Sequence, residues 1–299
     1  MAGDASFASV STLLHLDTDF VDVAPTPKIW TPYGGAAISA TAKFGAGSMS
    51  VTGGNSYISA PHHADFNFGT GQFTVECWFR CNAFSATQQV YAKSSGTNGI
   101  TRESGVSVLN STTIQFYYGV RGTSSVTHDF TVPTMAIDTW YHLAITRDSS
   151  NDIRVFLGGT ASSSGAWNDA VNLDGTLPFY IGSFYAGSVL NPFNGFIDEF
   201  RATKGVCRYN ASFTAPSARF IAGLGQVAGT VRDAASAPVS RTVRCYRRDT
   251  GALVGSATSD VTTGVYAIDC ATLDEVGRVV LDDASGTLLN DIIDRVIPA

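Results

Sequence analysis

Apolar and polar residues alternate with a period of two along most of the 299-residue chain, whereas no window of a dozen residues carries an amphipathic-helix stripe. The segment FTVECWFR (73–80) shows the pattern clearly, because Phe73, Val75 and Phe79 fall on one face of an extended chain. Such alternation is typical of strands that bury one face. The sequence therefore predicts an all-β protein.

Two neighbouring segments predict a hairpin. WYHLAITR (140–147) and IRVFLGG (153–159) both alternate, and a polar DSSND turn separates them. Further strands are predicted at 12–16, 48–59, 105–109, 113–120, 126–132, 178–183 and 195–203. Many short strands between Gly, Ser, Asn and Pro turns favour a sandwich of two antiparallel sheets.

The amino-acid composition of the chain changes around residues 217–226. Aromatic residues are frequent before this point, and after it only Tyr246 and Tyr266 remain. The tail still shows short strand patterns between Asp, Pro and Gly turns. We therefore predict an N-terminal arm (1–10), a large β domain (11–220) and a small, separately folding β-sandwich (226–299).

Charge excludes one class of partner. The net charge is −6, only 15% of the residues are charged, and four are lysine: Lys28, Lys43, Lys93 and Lys204. No basic stripe is available to neutralise a phosphate backbone, so we expect no nucleic-acid binding. The apolar runs are too short for membrane insertion, and the first residues lack the charged and apolar regions of a signal peptide.

The five cysteines are odd in number and scattered, which favours buried thiols over a disulfide framework: Cys77, Cys81, Cys207, Cys245 and Cys270. Cys77 and Cys81 would share a strand face, where a disulfide is geometrically poor. They lack a second pair at zinc-site spacing, so zinc is the less favoured alternative. His62 and His63, with Asp65, diverge along an extended chain and are interpreted as a polar loop.

Three segments carry a resemblance to a known family. Residues 66–80 (FNFGTGQFTVECWFR), 140–159 and 178–216 together resemble the laminin-G-like, concanavalin A-like jelly-roll domain, which would cover residues 11–220. The phrase GFIDEFRATKGVCRY (195–209) is most similar to versions in tailed-bacteriophage virion proteins. Cys207 departs from the small apolar residue that is usual in this phrase.

The tail, residues 226–299, resembles the carboxypeptidase-regulatory-like or Ig/transthyretin-like β-sandwich that follows such domains in phage proteins. The resemblance implies a virion protein, tail-associated or capsid-decorating, that is assembled in the host cytoplasm. Its jelly roll would bind host-surface carbohydrate, and the alternative is a purely structural decoration or attachment protein without glycan binding. The implied partners are other virion proteins, a host-surface glycan and further copies of the chain itself.

Loop aromatics are the candidate carbohydrate-binding residues. Trp167 lies in the predicted loop SGAWNDA, and the predicted loop SFYAGSVLNPF (183–193) contains Phe184, Tyr185 and Asn191. Loops at the rim of a rigid scaffold carry recognition, and exposed aromatic rings stack on sugar rings. These four residues form the predicted glycan site.

Three aspartates are candidate calcium ligands. The resemblance implies a structural calcium near Asp198 in some family members, with an acidic residue of the first strand nearby. Here Asp17 and Asp19 stand at i, i+2 in LLHLDTDFVD. Calcium takes six to eight oxygen ligands, including carboxylates and backbone carbonyls. In the alternative, Asp198 accepts backbone N–H bonds or pairs with Arg201 or Arg208.

Carboxylate spacing argues against an enzyme. The resemblance implies that glycosidases of this fold carry carboxylates at i, i+2 and i+4 of one strand, and retaining chemistry needs two of them about 5 Å apart. None of the four glutamates fits: Glu76, Glu103, Glu199 and Glu275. Strict alternation would place Asp198 on one face with Phe200 and Ala202, and Glu199 on the other. No catalytic activity is expected.

Overall fold

The computed structural model describes residues 4–52, 54–95, 102–120, 124–185, 187–223, 225–233, 235–247, 251–270, 276–281 and 291–296. Within these ranges the chain forms β-strands and two short 3-10 helices, Phe7–Ser9 and Ala64–Phe66. The predicted all-β class is therefore confirmed. None of the described helices is long and apolar enough to cross a membrane.

The contacts of the chain separate residues 9–220 from a second unit, made of residues 221–299 and the start of the chain. The first unit contains strands β1 to β18. In chain order they are β1 (Val10–Leu14), β2 (Thr31–Tyr33), β3 (Ala37–Ser39), β4 (Ser48–Ser50), β5 (Tyr57–Ala60), β6 (Phe73–Cys81), β7 (Gln88–Ser94), β8 (Arg102–Asn110), β9 (Thr113–Val120), β10 (Ser124–Thr131), β11 (Tyr141–Arg147), β12 (Asp152–Leu157), β13 (Thr160–Ala161), β14 (Trp167–Asn168), β15 (Phe179–Ile181), β16 (Phe184–Tyr185), β17 (Val189–Leu190) and β18 (Gly195–Lys204).

These strands form two large antiparallel sheets and a small hairpin. The first sheet has the order β13-β12-β11-β6-β18-β4-β3, with β1 added to β18 and β14 added to β12. The second sheet has the order β10-β9-β8-β7-β15-β5-β2, and β16 pairs with β17. Half of the neighbouring pairs in these orders are not consecutive along the chain, among them β6 with β18 and β15 with β5, as the predicted jelly-roll sandwich requires.

The predicted hairpin and strand positions are confirmed with one exception. Strands β11 and β12 pair with Ile145 opposite Val155, and β9 has its predicted bounds. Residues 48–59, predicted as one strand, instead form β4 and β5 in different sheets. The sequence TGGNS between them favours a turn, which lets the chain change sheets.

The core lies between the two sheets and is rich in aromatic side chains. Phe73 and Phe116, from opposite sheets, approach with ring centroids 6.3 Å apart. Cys77 and Cys81 point into the same core as free thiols. Burial raises the pKa of both thiols, that of Cys81 to about 12, so they are unreactive at neutral pH.

A bulge in β18 changes which side chains enter the core. Asp198 pairs with Trp78 and Arg201 with Glu76, so two residues of β18 oppose Cys77 alone. Glu199, at φ +49°, is the extra residue. The expectation that Asp198 shares a face with Phe200 and Ala202 is therefore wrong, because one inserted residue shifts the alternation. Both apolar side chains lie in the core, while Asp198 bonds to the loop outside the sheet.

The second unit is also all-β. It contains β19 (Gly225–Thr230), β20 (Thr242–Arg247), β21 (Leu253–Thr258), β22 (Val265–Cys270), β23 (Val276–Leu281) and β24 (Asp291–Val296). Strands β19 and β22 form one antiparallel pair, and the other four form a sheet with the order β21-β20-β23-β24. Val227, Val243 and Ile268 pack in a small core between them. Its resemblance to a carboxypeptidase-regulatory-like sandwich stays a prediction.

Candidate functional site

Trp167, the first predicted glycan residue, packs against the edge of the core. It lies in β14, opposite Ile153, and its ring is stacked on those of His128 (centroids 4.8 Å apart) and Tyr118 (5.7 Å). The ring is half-buried by these contacts. Trp167 therefore stabilises the sandwich and offers little ring surface to a ligand.

The predicted loop 183–193 contains the β16–β17 hairpin. Phe184 is completely buried beneath this hairpin, whereas the next residue, Tyr185, is 47% exposed. The Ser183 hydroxyl donates to the Leu190 carbonyl (2.6 Å), and the Asn191 carbonyl accepts from the Gln89 backbone N–H (2.8 Å). Phe184 and Asn191 thus anchor the hairpin, and Tyr185 is the side chain it presents to solvent.

Three further tyrosines lie on the outer face of the second sheet. Tyr33 of β2 stands opposite Tyr57 of β5, and Tyr180 of β15 stands opposite Ser59, which shares a face with Tyr57. The Tyr33 and Tyr57 rings are stacked (centroids 4.9 Å apart, 17° between planes), and Tyr180 meets Tyr57 edge-on at 5.7 Å. Tyr57, Tyr180 and Phe184 belong to one cluster, outside the main core.

We call Tyr33, Tyr57, Tyr180 and Tyr185 the tyrosine patch. Burial raises the pKa of Tyr57, and the nearby phenols of Tyr33 and Tyr185 raise it further. Burial also raises the pKa of Tyr180, together with Tyr57 and Tyr33. Hydroxyl groups with raised pKa values remain protonated at neutral pH, so they can both donate and accept hydrogen bonds.

Exposure singles out this patch from the other aromatic clusters. Among the Phe, Tyr and Trp side chains of the described ranges, Tyr33 and Tyr185 are the most exposed, with 45% and 47% of their surface accessible to solvent. Both belong to the patch, although they come from an edge strand and a separate hairpin. Aromatic rings held at the surface by their neighbours are the typical elements of a binding platform.

Sequence reasoning identified Tyr185 and missed Tyr33, Tyr57 and Tyr180. The pattern of alternation shows that a tyrosine lies on a strand, but not which strands become neighbours in the sheet. The sequence contained one signal that could have located Tyr33. The Gly34-Gly35 pair directly follows this residue and predicts a turn, and in the structure Tyr33 is the last residue of the edge strand β2.

The candidate calcium ligands lie elsewhere, against the outside of the first sheet. The Asp198 Oδ2 atom accepts from the backbone N–H groups of Lys43 (2.8 Å) and Phe44 (3.1 Å). Asp17 contacts Gly45, at which a Cβ atom would lie 1.8 Å from Asp17 Oδ1. Asp19 is exposed and accepts from the Val21 N–H. The structure thus brings Asp17 and Asp198 to the same loop and leaves Asp19 outside it.

The carboxyl group of Asp198 is strongly perturbed. Its side chain is fully buried, and burial, with smaller contributions from Glu199 and Asp17, raises its pKa to about 7 against the effect of the two N–H bonds. The Oδ1 atoms of Asp198 and Asp17 are both buried without a hydrogen-bond partner. Arg201 pairs with Glu76 instead (2.7 Å), so Asp198 follows the backbone-bonded alternative.

The fit of calcium to this loop is incomplete. Two unpartnered carboxylate oxygens are suitable donors, but calcium takes six to eight oxygens, and backbone carbonyls or water would have to supply the rest. In the described part of the chain, no three His, Cys, Asp or Glu side chains are grouped to hold a metal ion. Calcium at Asp17 and Asp198 stays a prediction.

The remaining polar candidates have structural roles. His63 Nδ1 accepts from the Asp65 backbone N–H (3.2 Å), and the Asp65 carboxylate pairs with Lys28. Glu76 is buried between Arg201 and His142. The Glu199 carboxylate accepts a hydrogen bond from the Phe220 backbone N–H and bonds to His15. Like Asp198, it therefore bonds to loops outside the first sheet. These carboxylates are therefore used in holding the fold together.

A family model described as the concanavalin A-like lectin/glucanases superfamily matches residues 52–207. No curated protein sequence matches the chain. Among solved structures, domain 4 of a GH43 extracellular arabinanase from Geobacillus stearothermophilus, in complex with arabinotriose, has a TM-score of 0.51 and 17% identity, over 67% of this chain and 94% of that one. The binding domain of Paraclostridial Mosquitocidal Protein 1 has a TM-score of 0.51 and 11% identity, over 97% and 73%. At these identities the structures establish similarity of fold.

Proposed function

The chain belongs to the concanavalin A-like lectin/glucanases superfamily, and we propose that residues 9–220 form a non-catalytic carbohydrate-binding module. The observation that carries the proposal is the tyrosine patch, which contains both exposed aromatic side chains of the described ranges. The C–H faces of sugar rings pack on aromatic rings, while their hydroxyls bond to polar groups at the ring edges. Tyrosine provides both kinds of contact.

The patch is ordered before a ligand binds. Tyr33 is stacked on Tyr57, and Tyr185 extends from a hairpin anchored by the buried Phe184. Little side-chain freedom remains to be lost on binding, which favours affinity for a flexible ligand. The resemblance of arabinanase domain 4, solved with arabinotriose, shows that this fold occurs in a sugar complex and supports the proposal by analogy.

The positions and bonding partners of the carboxylates do not support a catalytic function. Glycoside hydrolysis needs two carboxyl groups facing one cleft. Glu76 is buried in ion pairs, while Asp198 and Glu199 accept backbone N–H bonds on the first sheet. The tyrosine patch consists of phenols, three of them on the second sheet and Tyr185 on the β16–β17 hairpin. We therefore assign binding, and not cleavage, to this surface.

We place the module in a bacteriophage virion, at the tail or on the capsid, where it would attach the particle to host-surface glycan. The support is the similarity of residues 195–209 to phrases in tailed-phage virion proteins. The second unit would then contact other virion proteins. Immuno-gold labelling of purified particles checks this location.

A purely structural decoration protein is the alternative function. In that case the exposed rings of Tyr33 and Tyr185 would be covered by a neighbouring virion protein or by another copy of the chain. The two functions differ in one observable property. Only the carbohydrate-binding module retains its ligand when the purified chain is studied alone.

The experiment is a glycan array followed by calorimetric titration of the best ligand, using the whole chain and its Tyr33→Ala and Tyr185→Ala variants. Loss of one stacking ring is expected to cost roughly 1–1.5 kcal/mol, or about tenfold in Kd. Ile137→Ala is the matched control, since this side chain is 53% exposed and lies outside the patch. It should leave Kd unchanged.

Two results would contradict the proposal. Absence of binding to any glycan, combined with loss of particle incorporation in the tyrosine variants, would establish the structural alternative. Glycan binding that survives both tyrosine substitutions would show that the ligand occupies another surface.

A further inference from the structure

Two independently anchored rings frame the tyrosine patch. Tyr33 is fixed by the pairing of β2 with β5, and Tyr185 by the β16–β17 hairpin. The Tyr57 hydroxyl lies near enough to both for each to act on it electrostatically. Tyr57 and Tyr180 themselves are recessed, with less than a tenth of their surface exposed. The surface thus presents two exposed rings, Tyr33 and Tyr185, next to the recessed Tyr57.

One face of the Tyr33 ring is already covered by Tyr57. Tyr33 is stacked on Tyr57 with an angle of 17° between their planes, so a ligand can stack only on the outer face of Tyr33. A sugar ring on that face and a second ring on Tyr185 would both lie near the Tyr57 phenol, on which the two exposed tyrosines act. An oligosaccharide of two or more sugar rings can use both exposed rings.

Among the described residues, no cationic side chain stacks on a ring of the patch. The cation–π contacts of the described residues all involve other rings. The groups that act on Tyr57 and Tyr180 are other tyrosines. Recognition of a sugar carboxylate or sulfate relies on charge-assisted bonds, most often from arginine. The net charge of −6 also repels polyanions.

We propose that the tyrosine patch recognises an uncharged oligosaccharide of two or more sugar rings, and that it excludes acidic glycans. This inference rests on the proposed carbohydrate-binding function and adds the ligand class. Affinity comes from two stacking contacts and neutral hydrogen bonds to the phenols. It is therefore expected to increase with chain length and to depend little on ionic strength.

The test compares matched neutral and acidic ligands on the whole chain. The probes are galactose, galactobiose and galactotriose, the galacturonic acid series of the same lengths, and neutral gluco-, manno- and arabino-oligosaccharides. The expected result is binding of at least one neutral series, with about a tenfold gain in affinity from the monosaccharide to the disaccharide or trisaccharide. Between about 50 and 500 mM salt, Kd should change less than about twofold.

The variants test the role of the two rings. Tyr33→Ala and Tyr185→Ala should each remove the gain with chain length, so that the trisaccharide binds about as weakly as the monosaccharide. Ile137→Ala should retain the gain. Tyr57→Phe, which removes a recessed hydroxyl and keeps the ring, should weaken binding of the longer ligands without altering the salt dependence.

Each contrary outcome has a separate meaning. Preference for the acidic series, with affinity that falls steeply as salt rises, would overturn the inference and leave the carbohydrate-binding function intact. Binding of neutral sugars without any gain from chain length would also overturn it. Absence of binding to every probe and to the glycan array would refute the proposed function itself.

Discussion

Lowering the pH from about 8 to 5 should stabilise the jelly roll through Asp198. Burial, with smaller contributions from Glu199 and Asp17, raises the pKa of this carboxyl from 3.8 to about 7. A group whose pKa is higher in the folded state binds its proton more tightly there, so the resulting stabilisation is present at low pH and is lost as the pH rises through about 7. The linkage relation gives about 2.5 kcal/mol over this range, or roughly 5–10 °C in Tm for a domain of this size.

The assay is urea or thermal unfolding of the whole chain at several pH values, with Asp198→Asn as the test variant. Asparagine keeps an acceptor for the two N–H bonds and removes the titration. Ile137→Ala is the control, because this side chain is exposed and carries no titratable group.

The wild type and Ile137→Ala should gain stability in parallel as the pH falls, and Asp198→Asn should gain about 2.5 kcal/mol less. Glu76 does not disturb this range. Despite its burial, Arg201 and a hydrogen bond from His142 lower its pKa to about 2, so its stabilisation is lost only below about pH 4.5. Parallel profiles for the wild type and Asp198→Asn would refute the assignment of the proton-linked stability to Asp198.

Three further predictions concern packing and metal binding. Trp167→Ala should lower the free energy of unfolding by about 2–3 kcal/mol in urea denaturation, because the ring packs on the core edge; an unchanged free energy would show that those ring contacts are not stabilising. Gly45→Ala should destabilise more than Gly205→Ala, since both have positive φ (+62° and +80°) but only at Gly45 would a Cβ atom meet Asp17, and equal unfolding midpoints would contradict this. Calcium bound by Asp17 and Asp198 should raise Tm at about pH 8, where the carboxyl is ionised, and Asp198→Asn should abolish the rise; the same Tm with calcium and with chelator would disprove the calcium prediction.

Local patterns were sufficient to predict most of the long strands. The alternation in 73–80 and in the pair 140–147 and 153–159 marks the apolar face that packs in the core between the sheets, and these segments form β6, β11 and β12. The other face of β6 and β11 is buried as well, which the alternation did not predict. The same reasoning failed at β18, because a bulge is a property of two paired strands. Nothing in GFIDEFRATK alone shows that Glu199 adopts φ +49° and reverses the alternation after it.

The candidate site was predictable only in part, for a related reason. Tyr185 was identified because it is an aromatic residue in a predicted loop, whereas Phe184, chosen for the same reason, is buried beneath the patch. Tyr33, Tyr57 and Tyr180 are far apart in sequence and meet only through the order β15-β5-β2. Trp167 was misjudged as a loop residue because its two-residue strand is too short to show alternation, while its stacking partners lie more than thirty residues away.

The bulge and the tyrosine patch belong to different sheets of the sandwich, and this separation gives a final prediction. Asp198 lies against the outside of the first sheet, whereas Tyr33 lies on the outer face of the second. Packed sheets are about 10 Å apart, and substitutions at that separation without shared partners are usually additive. Asp198→Asn should therefore leave glycan affinity unchanged, and Tyr33→Ala should leave the pH profile of stability unchanged. A change in Kd for Asp198→Asn at matched stability would show instead that the two faces are coupled through the core.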